Sequence, residues 1–316
     1  MTRKIIGIGE TVLDVIFKND QPTAAVAGGS TFNAMISLGR TIGHKHPEMP
    51  LLMVTETGDD HIGDIIVRFM RENGVSDAAV TRNPGTQSHV SMAFLDERND
   101  AQYEFYKDHG HASLQAEKIR VAGGFMADDL VLFGSFFAIN PVLRDFTRPL
   151  LQSAHDAGAI LYYDINFRRS HIADIPDTLA NIEENCRLST IVRGSAEDFG
   201  YLYGTTDARE VYERHIAPLC PLFICTDGPR ATWIFTPEFT LQIPVAPIRT
   251  VSTIGAGDNF NAGFLCGIVG HNIEKKQFAA LPQETWRELV AVGQRFSTHV
   301  CQSIFNYVDK EFDCGC

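Results

Sequence analysis

From residue 129 to residue 305 the chain alternates short apolar runs with longer amphipathic ones, and this alternation constrains the fold more than any other feature. The runs at residues 129–133, 159–164, 189–192 and 222–226 have strand length and few polar residues. Between them, residues 141–158 and 175–185 carry helical periodicity, residues 197–203 begin a shorter helix, and residues 286–305 form a last helical region. A strand that reaches its neighbour through a helix forms a parallel pair, and a parallel sheet needs cover on both faces. Residues 4–9 (Lys-Ile-Ile-Gly-Ile-Gly) and 51–55 supply two further buried strands, and 232–236 with 240–243 a hairpin. Ligands of such a sheet gather beyond the C-terminal ends of its strands. The residues that close strands are therefore the ones to read.

Two stretches depart from the alternation. Residues 87–107 alternate apolar and polar on either side of Asp96-Glu97-Arg98-Asn99-Asp100, which predicts a hairpin. Residues 10–17 form a second alternating segment, with Asp14 on the strand face opposite Leu13 and Val15. A hairpin of this kind needs more strands or a partner, so its exposed edge is a candidate dimer contact. Residues 57–74 read as a turn and a helix, with Asp59 and Asp60 as charges at its start and Gly74 as its stop. His109 and His111 flank Gly110 and read as a polar loop rather than a metal pair.

Chemistry concentrates at residues 251–264, Val-Ser-Thr-Ile-Gly-Ala-Gly-Asp-Asn-Phe-Asn-Ala-Gly-Phe. Gly255, Ala256 and Gly257 are small, so their N–H groups can approach a ligand closely. Helical spacing resumes at Phe260. A turn of small residues feeding a helix N-terminus holds anions. Asp258 would repel a bound phosphate unless it has another task, and the simplest is to take a proton from an attacking hydroxyl. On spacing alone, a Gly-rich connection with Asp258 as N-cap fits equally well. No Gly-Lys-Ser/Thr follows, so this is not a Walker A loop, and it is not a Gly-x-Gly-x-x-Gly fingerprint.

Thr253-Ile254-Gly255-Ala256-Gly257-Asp258, with Phe260 and Gly263, resembles the C-terminal signature of the ribokinase-like (PfkB-type) sugar kinases. Ala27-Gly28-Gly29-Ser30-Thr31-Phe32-Asn33-Ala34 resembles their N-terminal signature, and Asp164-Ile165-Asn166-Phe167-Arg168 a motif of their fructokinase and 2-keto-3-deoxygluconate kinase branch. The resemblance runs from Gly9 to about residue 305. It implies one ribokinase-like domain over residues 1–316, a three-layer α/β/α core with a small β-sheet lid from residues 10–27 and 87–110. It makes Gly255, Ala256 and Gly257 the anion hole and Asp258 the base, and it assigns Asp14, Gly28, Gly29, Asn33, Tyr106 and Arg168 to the sugar. Arg193, Ser195, Thr226, Gly228 and Ser297 fall to ATP. The usual Asn-x-x-Glu is Ser195-x-x-Asp198 here, which leaves Asp198 to order Mg²⁺ through water. Ala231 replaces a glycine of the nucleotide motif, and Ser252 replaces the Asp that helps bind a monovalent cation, which argues against a strong potassium requirement.

The implied activity is an ATP-dependent kinase for a primary sugar hydroxyl, with fructose first. Lys107 and Arg168 could instead pair a sugar-acid carboxylate, as in 2-keto-3-deoxygluconate, and ribose or a nucleoside comes third. A non-catalytic sugar sensor on the same fold and a dinucleotide-dependent oxidoreductase are the readings from other classes. The net charge of −12 speaks against nucleic acid or anionic membrane as a general partner. Seven scattered cysteines, mostly in apolar runs, read as reduced and cytoplasmic, and there is neither a signal peptide nor an 18-residue apolar span.

Overall fold

In the computed structural model, residues 3–96, 101–106 and 123–315 are described. The strands are β1 (Ile5–Ile8), β2 (Val12–Lys18), β3 (Gln21–Gly28), β4 (Leu51–Gly58), β5 (Val80–Asn83), β6 (Val90–Leu95) and β7 (Ala101–Tyr106). They continue as β8 (Leu130–Gly134), β9 (Ile160–Asp164), β10 (Ile191–Ser195), β11 (Phe223–Asp227), β12 (Ala231–Phe235) and β13 (Thr240–Pro244). The helices are α1 (Ser30–Leu38), α2 (His61–Glu72), α3 (Ser135–Ile139), α4 (Arg144–Asp156) and α5 (Ile175–Leu188). They end with α6 (Ala196–Tyr203), α7 (Ala208–Val211), α8 (Ala256–Gly270) and α9 (Gln283–Cys301).

Nine strands form the central sheet in the order β13, β12, β11, β10, β9, β8, β1, β4, β5. Every pair from β11 to β5 is parallel, and β12 and β13 close one edge as an antiparallel hairpin. β1, β8 and β9 are buried along their whole length because both faces are covered. Alternate residues feed two separate cores. Ile5, Leu132, Tyr162 and Ile224 meet Phe32, Phe264, Trp286 and Phe296 from α1, α8 and α9. Ile6, Phe133, Tyr163 and Phe223 meet Leu150, Ile182 and Phe199 from α4, α5 and α6. The core is thus α/β/α with a mostly parallel sheet, as expected. From β1 the chain goes to β4 on one side, while β8 to β11 fill the other. The order reverses between β1 and β8, and a crevice at their C-terminal ends is the natural ligand position.

The second sheet has the order β3, β2, β6, β7. Its base is buried at Val12, Leu13, Asp14, Ala27 and Gly28, and its far end is more open. Phe17 and Phe94 stack at 4.9 Å near that end. Lys107, His109 and His111 lie outside the described residues.

Some boundaries differ from expectation. Residues 141–158 are not one helix. Asn140 is extended before Pro141, as a residue preceding proline prefers, and its side chain accepts from Val142 N–H at 3.0 Å. A 3-10 turn, Pro141–Leu143, therefore precedes α4. The edge strand β5 (Val-Thr-Arg-Asn) has too few apolar residues to be read from its pattern. Cys186, Cys220, Cys225, Cys301 and Cys314 are free thiols, whereas Cys266 is disulfide-bonded, contrary to a uniformly reduced set. Among the described residues no helix is long and apolar enough to cross a membrane.

Candidate active site

The N-termini of α1 and α8 converge beyond the β1 end of the sheet. α8 starts after Gly255, whose φ of 76° and whose contact with Asn306 suit only glycine: a Cβ there would lie 2.9 Å from the Asn306 carbonyl oxygen. Asn259 ties the turn down, its amide donating to the Gly255 and Asn306 carbonyls, each at 2.8 Å. Ala256 N–H donates to Thr253 C=O, and the first N–H to bond along the helix is that of Asn259. The N–H groups of Gly257 and Asp258 have no acceptor among the described residues. They present two donors and the positive end of the helix dipole to the same point.

Asp258 stands in that first turn and is 7% exposed. Ser30 Oγ donates to its Oδ1 at 2.7 Å and Asn33 Nδ2 to its Oδ2 at 2.9 Å. Both donors belong to the first turn of α1. Burial raises the Asp258 carboxyl above its ordinary range, while Asn33, Ser30 and the nearby Arg168 favour its charged form. Ser37 Oγ donates to Asn259 Oδ1 at 2.5 Å and holds the two helices in register. Asp258 is thus not the N-cap, a place Gly255 takes.

Asp14 closes the other side. It is 6% exposed on β2, accepts from Ser91 Oγ on β6, and lies within electrostatic reach of Asp258. Gly28 makes room for it: a Cβ there would sit 2.4 Å from Asp14 Oδ2. Gly29, at φ 121°, would place a Cβ 2.3 Å from the Glu10 carbonyl oxygen. Asn33 Oδ1 is buried without a partner and faces Gly28, an acceptor available to a hydroxyl. Asp14, Gly28 and Asn33 therefore form one contact group with Asp258, next to the turn at Gly255–Gly257.

Beneath α8 the ends of β9, β10 and β11 are joined by buried polar bonds. Arg193 donates to Asp164 Oδ1 at 2.9 Å and to Thr226 Oγ1 at 2.6 Å. Asn261 donates to Asp164 Oδ2 at 2.6 Å and accepts from the Tyr162 hydroxyl at 3.1 Å. The guanidinium packs under Gly257, where a Cβ would come within 3.1 Å of both Nη atoms. Ser195 and Asp198 form a capping box at the start of α6, with Ser195 N–H donating to Asp198 Oδ2 at 2.7 Å. Burial, and then the charge of Asp164, push the Asp198 carboxyl up to about 6. Gly228 sits in the open turn after β11 at φ 50°. Ser297 on α9 donates to the Ala256 carbonyl at 2.9 Å.

Tyr106 does not join the cleft. It pairs with Val90, and Val90 with Leu13, so it belongs to the row beside that of Asp14 and Ser91 and faces the other side of the small sheet. Its ring is 54% exposed. Ser30, Ser91, Asp164 and Asn261 are site residues that the sequence reading passed over. Ser30 was visible inside Gly28-Gly29-Ser30, whereas Ser91 becomes meaningful only through strand register.

A model of the pfkB family carbohydrate kinases matches residues 2–304. The chain belongs to this family. The kinase is 28% identical over 294 residues to a fructokinase of Rhizobium leguminosarum bv. trifolii, across 90% of this chain and 85% of that one. Fructokinase from Vibrio cholerae O395 in fructose-, ADP- and calcium-bound form superposes with a TM-score of 0.79 at 19% identity, covering 96% of this chain and 94% of that one. Aminoimidazole riboside kinase from Salmonella enterica, complexed with aminoimidazole riboside and an ATP analog, gives 0.79 at 17% identity, covering 98% and 97%. The ribokinase-like fold is thereby shown. Its occurrence with two different acceptors leaves the sugar to be argued from the cleft.

Proposed function

We propose that this kinase transfers the γ-phosphoryl group of ATP to a primary hydroxyl of a small sugar, and that the sugar is fructose. The observation that carries the reading is the position of Asp258: held by Ser30 and Asn33, beside two N–H groups with no acceptor among the described residues, and close to Asp14. Asp258 takes the hydroxyl proton, the sugar oxygen bonds to phosphorus, and the bond to ADP breaks. The Gly257 and Asp258 N–H groups stabilise charge on the migrating phosphoryl oxygens. Closure of the small sheet excludes water, which would otherwise compete as acceptor.

Ser195, Thr226 and Gly228 lie along the ATP side, and Ser297 flanks the turn from α9. Arg193 acts from below, through Gly257, because its Nη1 and Nη2 already donate to Asp164 and Thr226, while its Nε is buried without a partner among the described residues. Ser195 N–H takes Asp198 Oδ2, and Oδ1 would accept from a metal-bound water; a magnesium ion ordered there would supply charge neutralisation of the phosphates. Ser252 Oγ already accepts from Ile254 N–H at 3.2 Å and brings no charge, which argues against a strong potassium requirement. The open edge of β7 is the proposed dimer contact.

The acceptor is tested by ATP consumption with fructose, 2-keto-3-deoxygluconate, ribose, aminoimidazole riboside and adenosine. A kcat/KM for fructose at least about tenfold above the others is expected. Preference for 2-keto-3-deoxygluconate would assign the exposed Arg168 to a carboxylate and displace fructose. Sugar binding without turnover of any acceptor would leave a sensor.

Asp14 gives a pH-dependent test. Burial raises its carboxyl from 3.8 to about 6, against the Ser91 bond and with help from Asp258 and Glu10. A carboxyl raised on folding stabilises the fold fully below its unfolded value and loses that contribution as pH rises through about 6. Asp14→Asn is therefore expected to melt no lower than the parent at pH 7 to 8, yet to raise the sugar KM about tenfold or more by loss of a charged acceptor. An unchanged KM would remove Asp14 from the sugar site.

A further inference from the structure

Arg168 is exposed although it follows Phe167, which is buried in the sheet core. Its charge reaches both Asp258 and Asp198. A pair of contacts flanks it on the chain, at Asn166 and at His171, and both end on the same dipeptide, Ser135-Phe136, at the C-terminal end of β8. On one side Asn166 Nδ2 donates to Ser135 Oγ at 2.7 Å. On the other, the His171 ring stacks on Phe136 with centroids 3.9 Å apart and planes 7° from parallel. His171 N–H also donates to the Arg168 carbonyl at 2.9 Å, and its Nδ1 lies 2.9 Å from Asp174 Oδ2.

The backbone marks the same place. Asn166 has φ 40° and Ser135 φ 54°, so both residues joined by the first contact occupy the left-handed region. Such strain persists where the surroundings over-determine the conformation, and it gathers at working sites. Strand packing leaves no slack here: a Cβ on Gly134 would lie 1.9 Å from the Asp164 carbonyl oxygen. β8 also borders the point where the strand order reverses, so Ser135-Phe136 stands at the crevice itself.

We propose that Asn166 and His171 form a two-point clamp on Ser135-Phe136 that holds the Arg168 guanidinium toward Asp258, making them positioning residues for phosphoryl transfer. This rests on the kinase reading above and extends it. Arg168 is exposed and long; unclamped, it would sample many rotamers, and each productive turnover would first have to order it.

The test compares His171→Ala, His171→Phe, Asn166→Ala and Arg168→Ala, alone and with Arg168→Ala as background. His171→Ala and Asn166→Ala are each expected to lower kcat/KM for the sugar about tenfold, with the KM for ATP within about twofold. His171→Phe, which keeps a ring on Phe136, should stay within about twofold of the parent. In the Arg168→Ala background His171→Ala should add less than about twofold, since its effect runs through Arg168. Effects that multiply in that background would overturn the clamp, as would an Arg168→Ala variant of full activity, and neither result touches the kinase reading. Hydrogen exchange over residues 165–174 needs no turnover and reads the clamp even if no sugar is phosphorylated. Faster exchange in His171→Ala than in His171→Phe is expected, and equal exchange would refute it.

Discussion

Asp258→Asn is expected to lower kcat by at least about a hundredfold while leaving sugar and ATP binding near the parent level. The replacement keeps the shape of the side chain, and an amide oxygen can still accept from Ser30 or from Asn33. It cannot take a proton. The geometry suits a carboxylate at this position to the base role proposed for it. Burial disfavours its charged form and raises its proton affinity, whereas Asn33, Ser30 and Arg168 work in the opposite direction and the first two aim it. A base is most effective when its pKa approaches the working pH without leaving the side chain protonated. The N–H groups of Gly257 and Asp258, which have no acceptor among the described residues and are proposed to act on the phosphoryl group, are untouched by the substitution, so the loss should fall on kcat. Binding is checked by calorimetry and turnover by coupled ADP release. Turnover within a few-fold of the parent, with binding intact, would take the base role away from Asp258.

What could be read from the sequence divides along a physical line. Strands buried on both faces announce themselves as apolar runs, so β1, β8, β9 and β11 were legible, as was the mostly parallel sheet they imply. Short signatures with small residues at fixed spacing were legible too, because Gly28, Gly29 and Gly255 stand where a Cβ would strike backbone or Asp14. Contacts set by strand register were not. The face on which Tyr106 lies depends on its pairing with Val90, which no local pattern reveals. Polar residues that pair with one another across long separations were equally hidden. Arg193 looks like a ligand-binding residue until its bonds to Asp164 and Thr226 are seen, and Asn261 shows no role until it is seen to hold Asp164.

That closed network carries the second large effect. Arg193 is 4% exposed and Asp164 3%, and the guanidinium donates to both Asp164 and Thr226. Burial works against the charge of Arg193, but Asp164, Tyr162 and Asp198 together offset it and hold the guanidinium above its ordinary value. Arg193→Met keeps most of the volume and removes the charge. Asp164 then remains buried with only Asn261 to satisfy it, and breaking such a pair costs about 3–5 kcal/mol, or roughly 10 °C in Tm. Adding Asp164→Asn to Arg193→Met removes the stranded charge and should recover much of the loss. The outcome also decides between two roles for Arg193. A residue that reaches ATP phosphates would raise the KM for ATP and leave Tm nearly unchanged, and the second substitution would restore nothing. A residue that braces Gly257 from below lowers Tm first. In the rescued double variant the turn at Gly255–Gly257 would stand on neutral groups, so any remaining loss of kcat measures what the buried cation contributes beneath the proposed anion hole. Unaltered melting of Arg193→Met would show that the pair does not support this end of the sheet.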